Sequence, residues 1–481
     1  MKPFRLVINE DSSHFFGTRS AEQMTRESLL AWVDQYAGTQ VSHLFLNPNC
    51  MRTSYRSAVW DAIWDQGSSG RTNRWIENAR LLDQRGLDPY AIWIDRARAQ
   101  GLSPWISMRM NDVHNVDDPT SFIHSRFWVE HPEYWRVPGS TSGWTDRAFD
   151  FGIPAVREYH LQLVQELLNR YDSDGLELDW MRFGYHFKPG HEGAGNELSL
   201  DLMRQVRELA RQAAKRHGHP ILIGARVPAR PEAARGLGLD GAAWARAGFV
   251  DVLIPTPFFS TSDFDIPIDL WRELLGPAAK TVALAAGHEL LLRAYPAAPH
   301  AINNAESVRG FAAASLHRGS DFVYLFNYMD NETTVEDPID YRRILNEVGT
   351  LATAQALPRR HVVTYTDTWP PGVPCPCALP AGVGNAAFRI DTGPAPRTGR
   401  AVVRFGLSAR DGVTASKFSA RINSEPCAAL PDETAALPGV TRLLCFEIPL
   451  AAMNDGYNLV EMINAGGPEQ QAVWVEIRIV P

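Results

Sequence analysis

The sequence predicts a (β/α)8 TIM barrel over residues 1–354, followed by a small all-β sandwich domain over residues 355–481. Through residue 354, short apolar runs alternate with longer amphipathic segments, which is the rhythm of parallel βα units. Beyond it, Pro- and Gly-rich stretches separate short runs of alternating polarity, which is typical of an antiparallel sandwich. A chain of 481 residues is also too long for one ordinary core.

Eight apolar runs are the candidate barrel strands. They are FRLVINE (4–10), VSHLFLNPN (41–49), PWISMRMND (104–112), GLELDWMRF (175–183), ILIGARVP (221–228), VDVLIPTPFF (250–259), TVALAAGHE (281–289) and DFVYLFNY (321–328). The segments between them, such as residues 155–171 and 198–218, carry apolar residues three and four positions apart and predict helices. No Gly-rich phosphate loop follows the first strand, which favours a barrel over a doubly wound sheet.

The sandwich strands are predicted at residues 401–409, 418–422, 442–450, 457–464 and 472–480. In the last of these, apolar residues alternate with Trp474, Glu476 and Arg478, as in a strand with one buried face. The two tryptophans beyond residue 354, Trp369 and Trp474, are isolated in the sequence, so no aromatic sugar platform is evident. We therefore expect a packing or assembly role for the sandwich, with a homo-oligomer left open.

Composition excludes several classes of partner. The net charge of -8 provides no basic surface for nucleic acid or for an anionic membrane. No apolar run approaches the ~20 residues of a membrane span, and the N-terminus lacks the apolar core of a secretion signal. We expect a cytoplasmic protein whose partner is a carbohydrate substrate. No metal or cofactor is expected, because Cys375-Pro-Cys377 alone supplies too few ligands for zinc.

The fourth strand, in YDSDGLELDWMRF, predicts the core of a functional site. Alternation places Leu176, Leu178 and Trp180 on one face and Glu177, Asp179 and Met181 on the face directed into the barrel. Burying two inward carboxylates costs folding free energy unless basic residues neutralise them, so such residues are retained mainly where they serve a function. Asp179 lies nearer the C-terminal end of the strand, where barrel enzymes do chemistry, and is the better catalytic candidate. Glu177 is interpreted as its deeper orienting partner.

The other strand ends add a bowl of polar side chains. Near the third strand, Arg109, Asn111, Asp112 and His114 are candidates. The remaining candidate residues are Glu289, which is a catalytic candidate, and the binding candidates Asn9, Asp11, Asn47, Arg52, Tyr55, Trp180, Arg182, Arg226, His288, Asn327 and Tyr328. Mixed donors and acceptors of this kind suit sugar hydroxyls. For each of these residues taken alone, a structural salt bridge or a core position is an equally good interpretation.

Three stretches resemble a known group of barrel proteins. GLDPYAIWIDRARAQGLSPWISMRMNDVHN, DFGIPAVREYHLQLVQELLNRYDSDGLELDWMRF and RGFAAASLHRGSDFVYLFNY are similar to the glycoside hydrolase-like family 10. The resemblance extends over residues 1–350 and implies a carbohydrate-active TIM barrel without implying a substrate. DGLELDW also resembles the DGxDxDxE strand of family 18 chitinases. Met181 occupies the place of the catalytic Glu there, which excludes the chitinase mechanism.

The sequence therefore predicts a glycoside hydrolase with paired carboxylates at the C-terminal face of the barrel. Asp179 would act as nucleophile or base, and the acid would come from Glu289 first, then Asp112, then Asp11. One alternative is a polysaccharide lyase for uronate-containing glycans, with its base and its arginines drawn from Arg109, Arg182, Arg226, His288 and Tyr328. The other alternative is a sugar-binding barrel without catalysis.

Overall fold

The computed structural model describes residues 2–65, 73–330, 338–409, 412, 417–434 and 437–481. It contains a closed barrel of eight parallel strands and a second unit built from two antiparallel sheets, which confirms the predicted fold class. All eight predicted barrel strands form, each within one or two residues of the start of its predicted run. The last barrel helix ends at Gln355, and the first strand of the second unit begins at Arg359.

The barrel strands pair in the order β1-β10-β7-β6-β5-β4-β3-β2 and back to β1. Their bounds are β1 (Leu6–Glu10), β2 (Val41–Leu46), β3 (Ser103–Arg109), β4 (Gly175–Asp179), β5 (Leu222–Pro228), β6 (Val252–Thr256), β7 (Ala283–Glu289) and β10 (Phe322–Phe326). Between β7 and β10, a small antiparallel hairpin is formed by β8 (Leu291–Leu292) and β9 (Ala301–Ile302).

The helices surround the barrel, and several of them start at recognisable signals. They are α1 (His14–Thr18), α2 (Arg26–Asp34), α3 (Arg74–Gln84), α4 (Pro89–Ala99), α5 (Arg126–Glu130), α6 (Pro154–Arg170), α7 (Glu192–His217), α8 (Pro231–Gly236), α9 (Gly241–Arg246), α10 (Ile268–Leu275), α11 (Ala305–His317), α12 (Pro338–Glu347) and α13 (Leu351–Gln355). At α4, for example, the Asp88 carboxylate accepts from the N–H groups of Tyr90 and Ala91, and Pro89 occupies the first helical position.

Helix α7 begins at Glu192, six positions before the start predicted at Leu198. The added first turn contains Gly193 and Gly195, which disfavour a helix by themselves. A Cβ atom at Gly195 would lie only 2.5 Å from the ring of Phe187. The absence of a side chain lets that ring pack directly on the helix, so tertiary packing outweighs the low propensity of the two glycines.

The barrel interior follows the predicted alternation. Trp105 is fully buried among the inward side chains of neighbouring strands, and its ring stacks on Phe45 with centroids 4.7 Å apart. Gly175 and Gly224 face the same ring, where a Cβ atom would lie at 2.6 and 3.2 Å. Glu177 projects inward above this layer and accepts a hydrogen bond from Tyr324 across the barrel. The predicted inward face of β4 is therefore the observed one.

The second unit is a sandwich of two sheets with the strand orders β11-β20-β14-β18-β17 and β13-β19-β15-β16, and β12 also pairs with β20. The bounds are β11 (Arg359–Val362), β12 (Ala381–Val383), β13 (Asn385–Asp391), β14 (Arg400–Leu407), β15 (Lys417–Ile422), β16 (Glu425–Pro426), β17 (Ala428–Ala429), β18 (Arg442–Ile448), β19 (Tyr457–Gly466) and β20 (Gln470–Val480).

The polar face of β20 is less exposed than its alternation predicts. Glu476 is fully buried, and it pairs with Arg360 at 2.6 Å and with Arg404 at 3.2 Å. The Trp474 indole N–H donates to the same carboxylate at 2.9 Å. Two arginines on the strands at either side of β20 thus neutralise the charge and cover it.

Charged residues also join the sandwich to the barrel. Glu306 of α11 pairs with Arg478 of β20 at 2.8 Å. Asp265, in the loop after β6, accepts from Arg389 at 2.8 Å and from Arg318 at 2.9 Å, and the Tyr457 hydroxyl also donates to it. Within the described part of the chain, no helix has the length and apolar content needed to cross a membrane.

The close packing at Gly175 provides a test of the barrel interior. Gly175→Ala should destabilise the protein by about 1–3 kcal/mol, because the new methyl group overlaps the Trp105 ring. Gly193→Ala in α7 is the matched control, since a Cβ atom there meets nothing within 4 Å. The control should leave stability unchanged or raise it by about 0.5–1 kcal/mol. Urea unfolding of both variants measures the difference, and equal effects would contradict the packing described here.

Candidate active site

A cavity of about 880 Å³ opens at the C-terminal mouth of the barrel. Its polar lining includes Asp11, His14, His114, Arg182, Glu289 and Asn327. Its apolar lining includes Trp75, Phe183, Phe258, Phe259, Leu290, Leu291 and Met329. The cavity therefore combines an ionisable floor with a largely aromatic wall, at the end of the barrel where such folds carry their active sites.

Glu289 is the last residue of β7 and is 1% exposed. Asn327 donates from its side-chain amide to both carboxyl oxygens, at 3.1 and 2.8 Å. Asn327 adopts a left-handed backbone conformation with φ of 61°, which Asn tolerates better than most residues. Burial raises the pKa of Glu289 to about 8, although the Asn327 hydrogen bonds and the Arg182 charge act in the opposite direction. Glu289 is thus predominantly protonated at neutral pH.

Asp11 follows β1 and reaches the same cavity. Its carboxylate accepts from the backbone N–H and the hydroxyl of Ser13, at 2.8 and 2.7 Å, and pairs with Arg109. Arg182 lies 3.7 Å away. Burial alone would raise the pKa of Asp11, but the Arg109 and Arg182 charges outweigh it and hold that pKa well below its usual range. Asp11 is therefore ionised.

Asp112 is not part of the cavity lining, and its carboxylate contacts His114 and Arg109. It accepts from the His114 ring at 2.6 Å and lies 3.4 Å from Arg109. Burial opposes ionisation, yet His114 and Arg109 lower the pKa of Asp112 below its usual range. The Asp112 side chain is 1% exposed, whereas that of His114 is 39% exposed. Of these two residues, His114 is the one that lines the cavity.

Asp179 points inward as predicted, but it is not part of the cavity lining. One carboxylate oxygen accepts from the backbone N–H groups of Met181 and Arg182, both at 2.9 Å. The other accepts from Arg226 at 3.0 Å. The loop after β4 folds over this carboxylate, which leaves it 3% exposed. Asp179 thus holds Arg226 and the start of its own loop.

Glu177 lies one layer deeper and is fully buried. Its Oε1 accepts from Ser107 at 2.7 Å and from Tyr324 at 3.0 Å. Burial, followed by the neighbouring Asp179 charge, raises the pKa of Glu177. Its position at this depth keeps it out of the cavity.

Several predicted binding residues bond to the barrel itself. Asn9 donates to the Ser107 hydroxyl at 2.9 Å, and Asn47 donates to the Ser107 carbonyl at 2.6 Å. Asn111 donates to the carbonyl of Phe149 at 3.1 Å and accepts from its N–H at the same distance. These amides hold the strand ends in place beneath the cavity.

Five further predicted residues do not line this cavity either. Arg52 is 1% exposed and donates to backbone carbonyls, and Tyr55 is 2% exposed and donates to Glu166. Trp180 is fully buried on the helix-facing side of β4, as its face of the strand requires. The other two are His288 and Tyr328, which bond to each other at 2.9 Å. His288 packs on Phe311 of α11, because alternation along β7 directs only Glu289 inward.

The sequence interpretation missed His14, which lines the cavity from the short helix α1. Its ring bonds to Glu10 and lies 3.2 Å from Asp330. Although burial works against protonation, the Glu10 charge and the Asp330 hydrogen bond raise the pKa of His14 to about 9. Its spacing of three residues after Asp11 was the available signal. Among the described residues, no group of three or more His, Cys, Asp or Glu side chains forms a metal site.

No family model and no curated protein matches the chain. Solved structures similar to it include TIM-barrel glycoside hydrolases. An α-L-fucosidase from Paenibacillus thiaminolyticus is 14% identical, with a TM-score of 0.45, 74% of this chain covered and 49% of the fucosidase. A β-L-arabinopyranosidase from Geobacillus stearothermophilus is 14% identical, with a TM-score of 0.41 and coverages of 97% and 98%.

A maltogenic α-amylase from Thermotoga neapolitana is 11% identical, with a TM-score of 0.41 and coverages of 97% and 98%. The chain spans about half the length of the fucosidase and 57% of a Paenibacillus glucanotransferase that it also resembles. At these identities and TM-scores the likeness carries no information on substrate. The resemblance to glycoside hydrolase-like family 10 remains a prediction.

Burial of Glu177 predicts a pH dependence of stability. Because its pKa is raised in the folded protein, the folded state binds more protons than the unfolded state once pH exceeds about 4.5. Stability should therefore fall from about pH 5 to about pH 8, at up to about 1.4 kcal/mol per pH unit for this group. Glu177→Gln resembles the protonated form and should make the decline shallower. Urea unfolding across this range measures the slope, and an unchanged slope would contradict the raised pKa.

Proposed function

We propose that the chain is a glycoside hydrolase in which Glu289 is the general acid and Asp11 is the ionised carboxylate partner. The observation that carries the proposal is that both groups line one cavity while their environments push their pKa values apart. Two carboxyl groups with opposed protonation states are what glycosidic bond cleavage requires.

Each carboxyl group has a distinct part in this proposal. Protonated Glu289 donates its proton to the glycosidic oxygen as the bond to the leaving group breaks. Ionised Asp11 stabilises the positive charge that develops at the anomeric carbon, by direct attack or by activating a water molecule. The Arg182 charge acts on both groups and lowers both of their pKa values. Burial nevertheless keeps Glu289 protonated.

The lining of the cavity supports a sugar ligand. Phe183, Phe258 and Phe259 offer ring faces on which a sugar ring can stack. His114 is partly exposed beside Arg182, with 3.4 Å between the His114 Nε2 and an Arg182 Nη. Donors of this kind, next to an aromatic wall, suit a ring that carries several hydroxyl groups.

Asp179, the first catalytic candidate from sequence, takes a different part in this proposal. Its oxygens are occupied by Arg226 and by two backbone N–H groups, so it acts as a positioning residue. Asp112 is likewise a positioning residue for His114.

A lyase acting on a uronate is the second candidate. It is favoured by the pairing of a partly exposed base, His114, with Arg182, which could neutralise a substrate carboxylate. A lyase product contains a new double bond that absorbs in the ultraviolet, whereas a hydrolase product does not. Binding without either product on a broad glycan panel would favour the non-catalytic barrel.

Leaving-group dependence tests the two proposed roles. Glu289→Gln removes the proton donor and should lower turnover of alkyl glycosides and oligosaccharides by about 10²–10⁴. The variant should retain most activity on dinitrophenyl glycosides, whose leaving group needs no proton. Asp11→Asn should lose activity on both substrate types. Asp179→Asn should keep kcat per folded molecule while its melting temperature falls. Full activity of Glu289→Gln on the unactivated substrates would refute its role as acid.

The pH dependence of turnover gives an independent test. Glu289 acts in its protonated form, so kcat/KM should fall as pH rises through about 8. Asp11 acts in its ionised form and, because its pKa is strongly lowered, should impose no acidic limb at mildly acidic pH. Steady-state rates on a dinitrophenyl and an alkyl glycoside of the same sugar should differ, with the alkaline limb present only for the alkyl substrate. An alkaline limb common to both would point to another titrating group.

A further inference from the structure

The loop after β6 carries part of the aromatic wall of the cavity. Phe258 packs against Phe183, with ring centroids 5.0 Å apart, and stacks on Trp144 at 5.7 Å. Phe259 lies beside it with its ring perpendicular and is 41% exposed. The shape of this wall therefore depends on the backbone conformation of residues 257–260.

Arg226 holds this loop from inside the barrel. It donates to the carbonyls of Pro257 and Phe258, at 3.3 and 3.4 Å. Its opposite side is fixed by Asp179 at 3.0 Å and by Thr256 at 2.9 Å. These contacts orient the carbonyl groups of the loop but leave its N–H groups unsatisfied.

Asp367 holds the same loop from outside the barrel. Its carboxylate accepts from three successive backbone N–H groups, those of Phe258 at 2.8 Å, Phe259 at 3.0 Å and Ser260 at 2.9 Å. Asp367 belongs to the connection between β11 and β12 of the sandwich, more than one hundred residues from the loop in sequence. Three N–H groups would lose their acceptor without this side chain, which destabilises this conformation of the loop.

The connection between β11 and β12 is held at other points as well. The Thr364 hydroxyl accepts from the N–H of Phe264 at 3.0 Å, and the Trp369 carbonyl accepts from the Tyr185 hydroxyl at 3.2 Å. Thr366 bonds to Asp263. Replacement of Asp367 therefore leaves the connection between β11 and β12 in place and removes chiefly its hydrogen bonds to the loop after β6.

We propose that Asp367 is a positioning residue that fixes the aromatic wall of the cavity and thereby sets how tightly the site holds its sugar ring. The identity of the ligand rests on the function proposed above. The hydrogen bonds by which Asp367 fixes the loop after β6 do not depend on that function. Asp367 touches neither of the proposed catalytic carboxyl groups in any described contact, so its influence should fall on binding and not on the chemical step.

Amide hydrogen exchange tests whether Asp367 fixes the loop after β6. In Asp367→Ala, a peptide that contains residues 257–260 should exchange its amides at least about tenfold faster than in the unmodified protein. Asp367→Asn keeps one acceptor oxygen and should show an intermediate rate. The control is Glu306→Gln. It removes another carboxylate that joins the barrel to the sandwich, through an ion pair with Arg478 that does not involve the loop. Unchanged exchange in Asp367→Ala, or an equal increase in the control, would overturn the proposal.

Kinetics test the consequence for the ligand. On a glycoside that the unmodified protein turns over, Asp367→Ala should raise KM on the order of tenfold, with kcat within about threefold. Glu306→Gln should change neither value. Faster exchange with an unchanged KM would overturn the influence on binding. If no glycan is turned over or bound by the unmodified protein, the proposed function fails, and the exchange experiment still decides whether Asp367 fixes the loop.

Discussion

The mouth of the barrel depends on one buried charge, the guanidinium of Arg226. It lies 3.7 Å from the centre of the Phe326 ring and contacts the ends of β4, β6 and β10 from its place on β5. A buried cation of this kind is stable only if its charge and its N–H groups are matched. Asp179 supplies the charge, and the loop after β6 supplies carbonyl groups. The cost of leaving Arg226 unmatched therefore fixes both the fourth and the sixth loops.

Burial acts on all the carboxyl groups of this mouth in the same direction, but their neighbours differ. Asp11 has Arg109 as an ion-pair partner and Arg182 nearby, so its charge is retained. Glu289 has an amide as its direct partner, and the arginine charges that act on it are too weak to offset its burial. One constraint, the removal of water, thus yields an acid and an anion at the same cavity. The difference lies in which side chain each strand end brings within reach.

Much of this arrangement could be predicted from the sequence, because strands have a strict period. The alternation in GLELD placed Glu177 and Asp179 inside the barrel, where they are found. The same rule applied to β7 would have separated Glu289 from His288, which the prediction had grouped together. Glu289 faces the cavity, and His288 faces α11.

The sequence could not show which inward carboxylate meets the cavity, because loops decide that. The backbone N–H groups of Met181 and Arg182 close over Asp179, and only the path of the loop after β4 brings them there. The left-handed conformation of Asn327, which directs its amide to Glu289, is equally invisible in a pattern of apolar residues. Glu476 is a similar case, since its burial depends on arginines contributed by two other strands.

The contact between Asp367 and the loop after β6 changes how the boundary near residue 355 is understood. By strand pattern, the barrel ends there, and the two units have separate sheets. By hydrogen bonding, the barrel is incomplete without the connection between β11 and β12 of the sandwich, because three N–H groups of its sixth loop find their acceptor on Asp367. The ion pairs of Glu306 and Asp265 then keep the sandwich against the barrel and so hold that segment at the loop. The packing of the sandwich against the barrel and the shape of the cavity thus depend on the same set of contacts.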